Sequence, residues 1–319
     1  QTPYRQASPD VDHTALMRCC HSALALSDPS SQQSRMFFEQ NFQLCKLEGK
    51  GFVTGYFEPV VEASAVCTPQ YCYPLYRRPP DLVDLDDSSR PLGMDADCRF
   101  GRLENGKVSE YYDRGAIQNG ALVGKGLELV WLKDKTDAFF IHVQGSARLE
   151  LTEGSSIRVA YCAKTGHPYT SLAKQLSREM DIDPALMMAD RLADWMRSHP
   201  DQIDGFMAQN QSYIFFKLIE DIGDDNGPVG AARIPLVAGR SLAVDRNLHT
   251  FGLPLWVHTF EPLPGHAGPF HRLMVAQDTG SAIIGSSRGD IFVGTGSEAG
   301  LIAGKIRHDA EMILLEPRQ

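Results

Sequence analysis

Gln277-Asp278-Thr279-Gly280-Ser281-Ala282-Ile283-Ile284-Gly285, followed closely by Arg288-Gly289-Asp290-Ile291-Phe292-Val293-Gly294, sets two carboxylates among apolar, small and hydroxylated residues. The flanks Leu273-Met274-Val275-Ala276 and Ile291-Phe292-Val293 read as strands. Aspartate is a poor strand former, and desolvating its charge is costly unless it is paired, hydrogen-bonded or protonated. A carboxylic acid that stays protonated near neutral pH is what a general acid needs. The stretch therefore predicts a β-rich core with acidic residues at strand ends.

More strands lie around it. Ser241-Leu242-Ala243-Val244-Asp245, Leu255-Trp256-Val257-His258-Thr259 and Met312 to Leu315 precede or follow. Short strands separated by Gly/Pro turns point to a barrel or sandwich. Near the other end, Gly51-Phe52-Val53-Thr54-Gly55-Tyr56-Phe57-Glu58-Pro59 is a strand that proline should end, because proline cannot donate to a ladder. Before it the chain reads as helical. Asp10 or Asp12 is placed to cap a helix through Leu24, with Leu16, Cys20 and Leu24 on one stripe, and a second segment carries Phe37, Phe38 and Phe42.

The middle has another texture. Pro69, Pro74, Pro79, Pro80 and Pro91 interrupt it. Strands are predicted at Leu127–Leu132 and at Ala138–Gln144, and a hairpin turns at Glu153-Gly154. Helices follow at Ser171–Met180 and from Pro184, where Met188, Leu192, Trp195 and Met196 form a stripe, and a short helix spans Asp201–Ala208. A strand at Ser212–Lys217 comes next. The expected organisation is a catalytic domain of residues 1–59 and 210–319, interrupted by an inserted β-rich domain of residues 60–209. The fold class is mainly β with α.

With 319 residues the chain can build a large core, and a net charge of -9 argues against nucleic acid or anionic lipid as a general partner. No apolar run approaches a membrane span and no signal-peptide pattern is present, so the start at Gln1 reads as a trimmed or processed form. The 7 cysteines lack C-x-x-C spacing. Cys67 and Cys72, flanking Pro69, read either as a disulfide in an exported protein or as free thiols. No spacing supports a metal site, and no G-x-S-x-G elbow, P-loop or H-E-x-x-H motif occurs.

Three acidic residues stand out: Asp245, Asp278 and Asp290. Any one alone would be a turn or cap residue; three in one strand-rich region point to chemistry. Gln144-Gly145-Ser146, read as a strand end, and Thr54-Gly55-Tyr56 offer amides, hydroxyls, bare backbone and an aromatic ring, the groups that bind sugars.

Phe52 to Pro59, Phe140 to Ser146, Gln209-Asn210-Gln211-Ser212-Tyr213-Ile214-Phe215-Phe216, Gly227-Pro228-Val229-Gly230-Ala231, Ser241 to Arg246 and Ala276 to Gly294 together resemble the membrane-bound lytic transglycosylase A family. The C-terminal part resembles its three-aspartate module. The resemblance implies a double-psi β-barrel with a second β-rich domain inserted in it. It also implies a glycan groove between the domains and cleavage of peptidoglycan between N-acetylmuramic acid and N-acetylglucosamine to 1,6-anhydromuramyl ends. By the same resemblance Asp290 is the catalytic acid then base, Asp278 its support, and Thr54, Gly55, Tyr56, Gln144, Gly145 and Ser146 contact the glycan. Asp245 and Asp137 are further supporting candidates. No cofactor or metal is expected. The expected partner is the glycan strand, with cell-wall synthesis or divisome proteins as candidates. A monomer at the periplasmic face of the outer membrane is implied, although anchor and signal peptide are not in this chain. A peptidoglycan hydrolase, or a non-catalytic glycan-binding protein, are the competing readings.

Overall fold

The computed structural model describes residues 11–219 and 227–318. The chain divides into two compact units. One comprises the chain up to Phe57, Val229–Gly294 and the chain from Glu298; the other comprises Glu58–Pro228 and Thr295–Ser297.

The first unit opens with α1 (His13–Leu24), whose N-cap Asp12 accepts from Ala15 N at 2.9 Å. Asp10, the other cap candidate, lies outside the described residues. The buried residues of α1 are Ala15, Leu16 and Cys19, so the apolar stripe is rotated from the expected one and Leu24 is exposed. A capping box of Ser30 and Gln33 starts α2 (Ser31–Asn41). Phe42 leaves that helix and begins β1 (Phe42–Lys46), its ring packed with Phe37 and Phe38. Strand β2 (Gly51–Glu58) stops before Pro59, as the missing N–H requires.

The second unit follows with β3 (Val60–Ser64), β4 (Tyr73–Tyr76), β5 (Leu82–Asp84), β6 (Phe100–Glu104), β7 (Lys107–Ser109), α3 (Arg114–Gln118) and β8 (Glu128–Leu132). Next come α4 (Lys135–Gln144), β9 (Ser146–Leu151), β10 (Ser156–Lys164), α5 (Leu172–Glu179), α6 (Ala189–Ser198), α7 (Ile203–Ala208) and β11 (Ile214–Ile219). Its main sheet has the order β11-β10-β9-β3-β8-β4, and β5-β6-β7 form a small second sheet. Leu75, Val130, Leu132, Ile141, Leu149 and Phe216 fill the core against the main sheet. Because β11 pairs antiparallel with β10, the chain returns to the first unit at Val229, not at 210.

The segment 138–144 is helix α4, not a strand. Asp134 caps its start, accepting from Thr136 N at 2.8 Å. Gly145 ends it in the left-handed conformation at φ 80, where its N–H bonds Ile141 O at 2.8 Å. Capping at both ends and burial of Phe139, Ile141 and His142 override the strand propensity of Phe139-Phe140-Ile141.

The chain completes the first unit with β12 (Ser241–Val244), β13 (Pro254–Pro262), β14 (Pro269–Asp278), β15 (Arg288–Thr295), α8 (Ser297–Ala303) and β16 (Arg307–Pro317). The strand order is β1-β16-β13-β14-β12-β15-β2, and β2 also pairs with β16, so six strands close into a ring with β1 outside it. Closure leaves none of those six strands as a free edge. β16 pairs antiparallel with β1, β2 and β13, β13 antiparallel with β14, and β12 antiparallel with β15, whereas β12 and β14 run parallel. Val53, Leu242, Val244, Leu255, Val257, Met274, Ala276, Ile291 and Met312 form one apolar core. All 7 cysteines are free thiols, so Cys67 and Cys72 do not form the disulfide considered above. Among the described residues no helix is long and apolar enough to cross a membrane.

Candidate active site

Alternation along the strands sorts side chains to opposite faces. On β2, Val53 enters the core, leaving Thr54 and Tyr56 on sites of intermediate exposure. On β15, Ile291 enters the core, and Arg288 and Asp290 share the other face. On β12, Leu242 and Val244 are core residues, and Ala243 sits opposite Asp290.

Asp278 would fall on the core face by simple alternation, because Met274 and Ala276 do. A β-bulge prevents this. Leu242 pairs with Ala276, but the next residue of β12, Ala243, pairs with Asp278, so β14 spends an extra residue at Gln277. The bulge turns Asp278 out of the core. Asp278 and Asp290 thus lie on either side of Ala243, on strands that both pair with β12.

Each carboxylate has its own hydrogen-bond set. Asp290 Oδ1 accepts a short hydrogen bond from Thr54 Oγ1, and that same hydroxyl accepts from Arg288 Nη2 at 2.7 Å. Asp278 Oδ2 accepts from the Tyr56 hydroxyl at 2.9 Å, and its Oδ1 accepts from Ala231 N at 3.0 Å and Thr279 N at 2.9 Å. The Ala231 amide comes from the Gly227-Pro228-Val229-Gly230-Ala231 stretch, which explains why that motif accompanies the aspartates.

Burial pushes the Asp290 carboxyl up to about 6; the Thr54 hydrogen bond and the Arg288 charge oppose this, and Asp278 adds to it. Burial also raises Asp278, while the amides of Ala231 and Thr279 and the Tyr56 hydroxyl pull it back. Tyr56 is held well above its ordinary value by burial and then by Asp278, so it remains a donor. The site therefore holds one acid that titrates near neutrality beside a carboxylate stabilised by three donors. That is the arrangement for proton transfer next to a fixed negative charge.

The other expected residues fall elsewhere. Gly55 is packed closely on its Cα side. A Cβ there would lie 2.9 Å from Ala303 Cα and from Ile306 Cδ1, so its role is close packing of α8 on β2. Tyr56 commits its hydroxyl to Asp278. Asp245 is buried and shapes the loop after β14: Oδ2 accepts from Gly285 N at 2.9 Å and Oδ1 from Asn247 N at 3.0 Å. Asp137 lies in the first turn of α4 and bonds Arg197 at 2.6 Å. Gln144 is the last residue of α4, Gly145 its cap and Ser146 the first residue of β9, all in the second unit.

Arg288 was not among the site residues expected from the sequence. Its spacing of two from Asp290 on a strand was the available signal, because it puts both side chains on one face. Among the described residues no three His, Cys, Asp or Glu side chains are grouped to hold a metal ion.

Residues 52–217 match the family model described as the MltA specific insert domain, and residues 240–316 match the 3D domain. The chain is 31% identical over 271 residues to Membrane-bound lytic murein transglycosylase A of Escherichia coli (strain K12), covering 82% of this chain. It spans 65% of the length of that curated relative. The structure of a membrane-bound lytic murein transglycosylase from Agrobacterium tumefaciens superposes with a TM-score of 0.92 at 42% identity, covering 99% of this chain and 88% of the other. E. coli MltA with bound chitohexaose gives a TM-score of 0.71 at 26% identity, covering 96% and 83%.

Proposed function

The chain belongs to the MltA family, and on that premise we propose that it is a lytic transglycosylase. Its reaction cleaves the β-1,4 bond between N-acetylmuramic acid and N-acetylglucosamine in peptidoglycan, forming 1,6-anhydromuramyl ends. The observation that carries the reading is the carboxylate pair flanking Ala243, with Asp290 pushed up to about 6 and Asp278 held by three donors.

The chemistry follows from that difference. Protonated Asp290 gives its proton to the glycosidic oxygen as the bond to C1 breaks. Positive charge develops on the sugar ring, and the Asp278 carboxylate stabilises it. The muramyl C6 hydroxyl then attacks C1, and ionised Asp290 takes its proton. The acid is regenerated, no water is consumed, and one residue serves both steps. With a pKa of about 6, roughly a tenth of the Asp290 population carries its proton at pH 7, enough to act in either form.

Thr54 and Tyr56 serve the reaction through the aspartates that they bond. Gln144 and Ser146 are carried as glycan contacts on the resemblance alone, and Gly145 is accounted for by its helix cap. We read the closed six-stranded ring, in which β12 and β14 run parallel, as a double-psi β-barrel whose sequence is interrupted by the second unit. The E. coli relative is named as membrane-bound, which supports membrane association; the periplasmic face of the outer membrane is the place that the family resemblance implies.

The test is product mass. Digestion of purified peptidoglycan should release fragments whose muramyl ends are lighter by one water than reducing ends. Reducing ends alone would replace this reading with hydrolysis.

A further inference from the structure

Arg288 lies next to the acid yet reaches it through another side chain. Its Nη2 donates to Thr54 Oγ1 at 2.7 Å, and Thr54 Oγ1 is bonded to Asp290 Oδ1. A guanidinium carries donors only, whereas a hydroxyl has one proton and two acceptor lone pairs. The Thr54 oxygen must therefore be the acceptor toward Arg288. Its one proton is left for Asp290.

We infer that Arg288 is a positioning residue for the acid: by donating to Thr54 Oγ1 it commits the only hydroxyl proton of Thr54 to Asp290 Oδ1, so that the proton Asp290 transfers is held on Oδ2. This deepens the proposed function and rests on Asp290 being its acid. Without the guanidinium, Thr54 could accept the Asp290 proton as well as donate to it, and the acid would spend time with its proton turned inward.

A purely structural role is the competing explanation. Arg288 also bonds Gly289 O, approaches Phe52 O at 3.5 Å and lies over the Phe52 ring at 5.5 Å, which ties β15 to β2. The two roles differ in what they do to the pH profile. The charged or titratable groups facing Asp290 are Arg288 on its own strand, Tyr56 on β2 and Asp278 on β14; Thr54 adds the hydroxyl, and β12 presents only Ala243. Arg288 is the one cation among them, and its charge favours the ionised form. Removing it leaves burial and Asp278 with less opposition. Asp290 then keeps its proton to higher pH, and the limb on which activity falls with rising pH moves upward.

The experiment measures kcat and KM against pH for release of anhydro-ended fragments from soluble glycan strands. Arg288→Met should raise the alkaline limb by about one pH unit and lower kcat by roughly 10–100-fold, with KM within about threefold. Arg288→Gln keeps an amide donor without the charge. It is the gentler variant for folding and should move the limb the same way. Arg288→Lys should return the limb toward wild type. Limbs at the wild-type pH in both neutral variants, with activity lost only in step with melting temperature, would overturn the inference. Asp290→Asn is run alongside. If it stays fully active, the acid assignment itself falls; if it is inactive and the neutral Arg288 variants keep the wild-type limb, only the Arg288 inference falls.

Discussion

Two pairs of aspartates in this molecule carry similar formal charge and do different things. Asp278 and Asp290 flank Ala243 in the first unit; Asp134 and Asp137 start α4 in the second. Burial and a like-charged neighbour push up Asp290, and the same two causes push up Asp137. The difference is the cation. Arg197 bonds Asp134 at 2.8 Å and Asp137 at 2.6 Å directly, and both carboxylates sit at a helix N-terminus that favours negative charge. Around Asp290, the guanidinium of Arg288 stops one hydroxyl short. A pair bonded directly by one guanidinium is an anchor for a helix. A pair supported by hydroxyls and amides retains a carboxyl that can gain and lose a proton.

The comparison can be broken at four points. Asp290→Asn should lower turnover by about 1,000-fold or more while the folded protein still binds glycan strands, whereas Asp137→Asn should leave turnover within about twofold. Comparable losses in the two would erase the distinction. Asp278→Asn should cost about 100-fold. It should also move the alkaline limb to lower pH, because removing the like charge lets Asp290 ionise more easily; an upward shift would contradict the electrostatic role.

The next effect is on stability. The folded protein holds the Asp290 proton to about pH 6, and an unfolded chain only to about 3.9. The site therefore stabilises wild type at low pH, and that contribution is lost as pH rises from about 4 through 6. Asp290→Asn removes this dependence, so its stability relative to wild type should rise between pH 4 and 8 by about 1–3 kcal/mol. Melting curves of both proteins across that range check it. The smallest effect belongs to the anchor: Arg197 is 47% exposed, so Arg197→Met should cost under about 1 kcal/mol, read by denaturant titration with activity unchanged.

The same contrast marks where the sequence was legible. Strand patterns around Asp278 and Asp290, the stop at Pro59 and the β9–β10 hairpin follow from local alternation and turn chemistry, and the structure has them. Pairing between distant strands does not follow from local pattern. The extra residue at Gln277, which decides where Asp278 points, is visible only once β12 lies beside β14. The α4 segment misled because aromatic and β-branched residues dominate it, although Asp134 at its start and Gly145 at its end were cap signals in plain view. Gly55 and Tyr56 were read as glycan contacts from their residue types, and the groups they meet within the fold, Ala303 with Ile306 and Asp278, come from remote parts of the chain.

Asp290 holds a proton close to neutrality because burial and Asp278 outweigh the Thr54 hydrogen bond and the Arg288 charge. A carbon-13 titration of the aspartate carboxyls, with Asp290→Asn assigning the resonance, tests it directly. The account predicts a midpoint near 6 for Asp290 that falls in Asp278→Asn. A midpoint near 4, unmoved by Asp278→Asn, would contradict it.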